Sequence, residues 1–469
     1  MQRKRAIVWP AALAGATIAA ILAGCSNQTF NPVGSTVSAA AAKTMTQTLV
    51  TDAPADQILS LSLTVDSIVL TDSSGATTTV LSTPVKIEAS HLDAVQEPLL
   101  PPLNIPQDTY VSATFTVASP VVVYIDSTTG KPVTADATLA NATDTVTFTT
   151  PIVVSATSTP ICFDLLVGQS VTISGATVSV SPMFNVTQIP LAQQPTNGSN
   201  GMVSGMLGQV VSVSGTTLVV ALPNSQQLTI ATNSSTVLQG FSALSALTAG
   251  ELVNVDYAQQ TSGSLLALRI QLVPAPAATV FGGPVTAVTG SPVTSFTQLV
   301  RQPLGPMAPS STTGNTNTVD VTSSTTFQLP GQMATLPALP FAPAFSAATL
   351  FAGQNVLVAA ASVSGTTVSA QSVTLLPQTI DGTISAVSTT ASGTVYTVTL
   401  SSQSALGTLT GQTSVIVYVS ASTQMMNATA VAAGSPARFN GLLFSNNGTL
   451  SLVAGASCDP PPSAPPQHP

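Results

Sequence analysis

Charge is scarce in this sequence. Lys, Arg, Asp and Glu supply 6% of its 469 residues, where an ordinary globular chain has about a quarter. Aromatic residues make up 4%, histidine occurs twice and cysteine three times. Each shortage excludes something. Without clustered Lys and Arg there is no complement for a phosphate backbone, so nucleic acid is excluded as a partner. His91 and His468 are too few for a usual zinc site, and a Ser-His-Asp triad would have to rely on His91 alone. The sequence has no P-loop, no G-x-S-x-G, no HExxH and no paired CxxC, and no cofactor is expected. Apolar residues nevertheless reach 44%, enough for a packed core. Abundant Thr, Val and Ser point to β structure and away from disorder.

What is present begins with Arg3, Lys4 and Arg5, followed by an uncharged run over residues 6–24. That is the layout of a secretion signal. Pro10 and the many Ala and Gly residues weigh against an uncleaved membrane helix. The run ends in Leu22-Ala23-Gly24-Cys25, which resembles the lipobox of bacterial lipoproteins. The resemblance implies cleavage before Cys25, a diacylglyceryl thioether on it, and the membrane as a partner through that lipid. Each buried CH₂ contributes about 0.8 kcal/mol, so two acyl chains already anchor stably. Ser26, where an aspartate would favour the inner membrane, implies the outer membrane, facing periplasm or cell surface. Residues 25–44 are then a flexible tether. Cys162 and Cys458 read as two independent thiols, although export would also permit a disulfide.

Twelve of the seventeen acids lie between residues 45 and 190, opposed by Lys86 and Lys131. A Gly/Pro/Asn-rich linker, 191–201, separates this part from a nearly uncharged remainder. In the first part Leu61, Leu63 and Val65 alternate with Ser62, Thr64 and Asp66, and a turn at Asp72-Ser73-Ser74-Gly75 follows. Similar runs recur up to residue 186, predicting an antiparallel β-sandwich over 45–190. The segments 50–70, 100–117 and 163–186, with Asp52-Ala53-Pro54 and Phe163-Asp164, resemble the lipoprotein domain of unknown function 4382. Asp108 stands where that family commonly has glycine before Tyr110. The resemblance implies an envelope setting and no known activity.

The remainder is repetitive. NSSTVL (233–238), TSSTTF (322–327) and SASTQM (420–425) are followed by ALTAGELVNV, TLFAGQNVLV and AVAAGSPARF. Three copies are expected, over 202–275, 278–377 and 378–457, before a Pro-rich tail at 458–469. Each reads strand, strand, strand, short helix, strand, strand, the order of a small five-stranded barrel of the OB type. The first copy places its helix at 241–247. The glycines Gly250, Gly353 and Gly434 read as turn residues leading into the fourth strand. The copies resemble domain of unknown function 5666. The fold class is therefore all-β: a sandwich followed by three OB-like barrels.

Candidate sites are few. Leu339, Phe341 and Phe345, in a proline-punctuated insertion of the second copy, either cap their own barrel or form a partner-contact loop. His91, with Glu88 and Asp93 nearby, reads as a surface turn or short helix. Asp52 and Asp56 offer at most a weak calcium site, with a turn capped by Asp52 as the default. Glu251 and Asp256 flank a strand, with nothing to pair them as glycosidase acids. The function expected is non-enzymatic: a lipid-anchored envelope protein for binding, adhesion or spacing, with an envelope protein or glycan as partner. The alternative is an envelope enzyme acting on polysaccharide or peptidoglycan through Asp or Glu.

Overall fold

The alternation at Leu61, Leu63 and Val65 places three side chains in one core, each at most 2% exposed. The computed structural model describes residues 42–458 apart from 54–56, 93–96, 127, 158, 190–202, 274–278, 309–311, 331–338, 391–392, 421–422 and 427–431. Cys25 and its lipobox, the linker, Asp56, His468 and the tail beyond 458 lie outside the described residues, as do the side chains of Asp52 and Cys458.

The first part consists of β1 (Lys43–Ala53), β2 (Ile58–Asp72), β3 (Thr77–Leu81), β4 (Val85–Glu88), β5 (Glu97–Pro106), β6 (Asp108–Ile125), β7 (Pro132–Asp136), β8 (Thr138–Leu139), β9 (Thr143–Val154) and β10 (Ile161–Leu166). A short α1 (Val167–Ser170) leads to β11 (Val171–Ser174), β12 (Thr177–Val180) and β13 (Phe184–Gln188). Beside a small sheet β11-β12-β8, two larger sheets run β13-β10-β1-β5 and β3-β2-β6-β7, the latter with β4 on β2 and β9 on β6. Between them Phe115 stacks on Phe184 at 4.1 Å and meets Phe163 edge-on.

Most pairings are antiparallel, but β1 runs parallel to β10 and β8 to β12. Alternation reports which face is buried and carries no strand direction. Two strands escape the alternation rule. β5 contains Pro98, Pro101, Pro102 and Pro106, tolerated because it is an edge strand of its sheet. β1 starts at Lys43, inside the segment read as tether.

The first barrel comprises β14 (Val203–Ser214), β15 (Thr217–Ala221), β16 (Gln227–Ala231), β17 (Val237–Gln239), β18 (Leu252–Gln259) and β19 (Leu265–Leu272). It closes where β16 pairs in parallel with β19. The second has β20 (Val280–Gly290), β21 (Val293–Leu299), β22 (Gln302–Leu304), β23 (Thr316–Asp320), β24 (Thr326–Gln328), β25 (Asn355–Ser364) and β26 (Thr367–Leu375), closed by β23 on β26. The third has β27 (Gln378–Thr390), β28 (Gly393–Thr399), α2 (Ala405–Thr410), β29 (Ser414–Val419), β30 (Gln424–Met426), β31 (Pro436–Asn446) and β32 (Thr449–Cys458), closed by β29 on β32. Counting five main strands per barrel and leaving out the short β17, β22, β24 and β30, the first strand lies between the second and fourth, and the third lies beside the fifth, the OB order. The helix expected at 241–247 shrinks to a 3-10 turn, Leu244–Ala246. In the third barrel the helix sits between the second and third strands instead.

Apolar seams join these parts. Leu49 and Cys162, on the outer face of the sandwich, enter the core of the first barrel with Val203 and Tyr257. Leu207 and Leu252 of the first barrel meet Val280 and Leu357 of the second. Leu442 and Phe444 of the third extend the core of the second. Ala405 and Leu409 of the third pack on Leu59, Val123 and Ile125 of the sandwich.

Candidate functional site

The repeated motifs resolve into repeated bonds. In the NSSTVL, TSSTTF and SASTQM motifs, Thr236, Thr325 and Thr423 accept from the backbone N–H of Asn233, Thr322 and Ser420, each at 3.0 Å. The same hydroxyls donate to the carbonyls of Ala267, Ala370 and Ala454 on the fifth strand, at 2.7–2.8 Å. Gly250, Gly353 and Gly434, all with φ near +90°, donate to Val210, Val285 and Ile384 on the first strand at 2.7–2.8 Å. Those three residues donate back to the carbonyls of Glu251, Gln354 and Ser435. In each barrel the first strand also bulges immediately after this residue. The motifs are thus latches that close a barrel, not ligands.

Residues 208–271, within the first barrel, match the family model described as a domain of unknown function, DUF5666. No curated protein matches the chain. The other two barrels reproduce the latch bonds of the matched one.

His91 is not on the surface, as its polar segment led to expect. Its Nδ1 lies 2.8 Å from Glu88 Oε2, and its Nε2 lies 3.1 Å from Glu97 Oε2, a charge contact without hydrogen-bond alignment. Ser60 donates to Glu88 at 2.8 Å, and Gln302 of the second barrel donates to Glu97 at 3.0 Å. Arg301, also of the second barrel, donates to the Leu59 carbonyl at 2.7 Å. Burial would discharge the imidazole, but the two carboxylates win and hold His91 protonated, with its pKa raised to about 10. Glu88 is held below its ordinary value by His91 and Arg301, against its own burial. A histidine locked as a cation between two carboxylates is a poor general base near neutral pH. The cluster around it, through Arg301 and Gln302, joins the sandwich to the second barrel.

Glu251 and Asp256 are also engaged. Glu251 accepts from Thr248 N–H at 2.6 Å, and Asp256 pairs with Arg269 at 2.5 Å while accepting from Gly205 N–H. Cys162 is a buried free thiol whose pKa burial pushes up, so it is unreactive. Leu339, Phe341 and Phe345 pack against the core of the second barrel. Phe345 meets Phe327 at 5.4 Å, and Phe341 meets Tyr418 and Phe444 of the third barrel at 5.5 and 6.1 Å. Phe341 thus lies at the seam between the second and third barrels.

Among the described residues, an open cleft of about 570 Å³ lies between the first two barrels. Leu222, Pro223 and Ser225 form one wall, and Pro303, Leu304 and Pro306 the other. Its size suits a small ligand, and its lining carries no charge. The Gln209 amide on its edge is already donated to the Gly250 carbonyl at 3.1 Å. Such a surface selects by shape and offers no acid or base. Nothing in the local sequence marks this cleft, because its two walls come from different repeats.

Proposed function

We propose that this protein is a non-enzymatic, lipid-anchored component of a bacterial cell envelope, a multi-barrel scaffold that holds neutral binding surfaces away from the membrane. The observation that carries the reading is the fate of its polar motifs. The three Thr latches, the glycine turns and the His91 cluster are all consumed in holding barrels closed and domains together. A chain built to bear chemistry would leave some of these groups facing a cleft. The lipobox-like Leu22-Ala23-Gly24-Cys25 supports the anchor, and the charge-poor surface supports a partner recognised without ionic contacts, a glycan or an envelope protein.

The anchor and the orientation are tested together in cells. Cys25→Ser is expected to move the protein from the membrane to the soluble fraction, and mass spectrometry of the wild type should find acyl chains on Cys25. An unmodified Cys25 would overturn the anchor. Protease digestion in unbroken cells, with a periplasmic protein as control, would place the barrels outside; protection until the outer membrane is opened would place them in the periplasm. Any partner captured should bind almost equally at low and high salt, since screening acts on charges. Turnover of cell-wall glycan abolished by one Asp or Glu substitution would sink the non-enzymatic reading.

A further inference from the structure

The latches fix equivalent positions in the three barrels. Opposite the latched residues Val210, Val285 and Ile384 of the first strand stand Val220, Gln298 and Val398 of the second. Their partners on the third strand are Leu228, Asn317 and Val415. In the first and third barrels this layer is aliphatic, and its four side chains are 0% exposed. In the second barrel it is a pair of amides, buried almost as deeply, with Gln298 0% and Asn317 4% exposed. One step along the same two strands Phe296 faces Val319 in the core, so period-two alternation turns both amides inward.

Gln298 answers a local need of this barrel. Beside it β20 changes neighbour, pairing with β22 over 280–282 and with β21 from Val285 onward. Among the described residues the other barrels have no strand in the place of β22. At this fork Gln298 Nε2 donates to the carbonyls of Phe281 and Val356 at 2.9 and 3.0 Å and reaches that of Gly283 at 3.4 Å. Those carbonyls fix the amide, since turning it over would set oxygen against oxygen. Gln298 Oε1 takes no part in the fork; it is buried and has no hydrogen-bond partner. Asn317 Nδ2, from the residue directly opposite, is likewise buried and unpartnered. An acceptor and a donor thus face the same interior across one rung of the ladder, their Cβ atoms about 5 Å apart, without bonding each other.

We propose that the second barrel binds a water molecule in its core, one that donates to Gln298 Oε1 and accepts from Asn317 Nδ2. Internal waters occupy places of this kind, joining buried polar groups that have no other partner. Water suits the pair better than an ion, because both amides are neutral. It also suits the pair better than a larger guest, because Phe296, Val319 and Val356 beside it are packed to 2% exposure or less. The site belongs to this barrel alone: β22 creates the fork, the fork requires a side-chain donor, and the donor brings an acceptor oxygen into the core.

An experimental structure of the full chain that shows ordered water tests this directly. One water is expected within hydrogen-bond distance of both Gln298 Oε1 and Asn317 Nδ2. Oxygen-17 relaxation dispersion in solution gives a second reading: Asn317→Leu, which copies the first barrel, should hold one long-lived internal water fewer than the wild type. A direct Gln298–Asn317 hydrogen bond with no water between them would overturn the proposal. So would an unchanged number of long-lived waters in the folded Asn317→Leu protein. The wild-type structure decides the matter even if that variant does not fold.

Discussion

The Arg301 guanidinium donates through Nε to the Leu59 carbonyl at 2.7 Å, across 242 residues of chain, and so bolts the second barrel to the sandwich. Its charge also lowers the pKa of the buried Glu88. Arg301→Ala should cost about 2 kcal/mol in denaturant unfolding, because it leaves the Leu59 carbonyl without its charged donor and removes one of two cations acting on Glu88. Arg301→Lys should recover only part, since a lysine cannot present Nε and the terminal nitrogen in one plane. A loss within error of zero for the alanine variant would remove Arg301 from this role.

Stability above neutral pH should depend on His91. Its folded pKa lies near 10, so its contribution is complete below the unfolded value of about 6.5 and fades as pH rises towards 10. The wild-type melting temperature should therefore fall across that alkaline window, and His91→Gln should flatten the slope. Glu88 works in the opposite direction: its lowered pKa makes its contribution disappear only in acid, below the ordinary carboxylate range.

Thr236→Val, Thr325→Val and Thr423→Val keep the shape and delete the latch hydroxyl. Each should cost about 1 kcal/mol, and the three losses should be similar because the three geometries are. Calorimetry of the single variants would check this. One silent position would mean that its copy is closed by something else.

Two repeat glycines separate steric from conformational need. A Cβ on Gly382 would lie 2.4 Å from the Thr399 carbonyl oxygen, in the close crossing of β27 over β28. Gly382→Ala should prevent the third barrel from closing, read as loss of protection in β27 and β28. Gly434 has φ of +87° and open space beside it. Gly434→Ala should cost only the left-handed penalty, about 1–2 kcal/mol.

Phe341→Ala should lower the melting temperature, with a loss of about 2 kcal/mol for a partly buried ring, and should speed exchange in β29 and β31, near Tyr418 and Phe444. Unchanged stability together with lost binding to an envelope partner would return this loop to the partner-contact alternative.

The sequence by itself determined the local elements and their repetition. Period-two alternation buried Leu61, Leu63 and Val65, and three copies of one motif foretold three barrels, because strand faces and turn glycines are set by neighbouring residues. The succession of strands resembled the OB type, but the parallel pairing of third with fifth strand that closes each barrel joins strands that are not consecutive and is not written in that succession. The sequence could not show that β1 lies parallel to β10, because alternation carries no direction. Nor could it show that Ser60 and Ser62, which alternate as solvent-facing residues should, are at most 1% exposed. Gly314 of the second barrel sits against Ser62, and no local pattern announces a covering domain. His91 was misplaced on the surface for that reason: the Arg301 and Gln302 side chains that enclose its cluster arrive from two hundred residues away. Tertiary structure alone decided which polar groups face solvent, because burial at a seam depends on what the neighbouring domain presents.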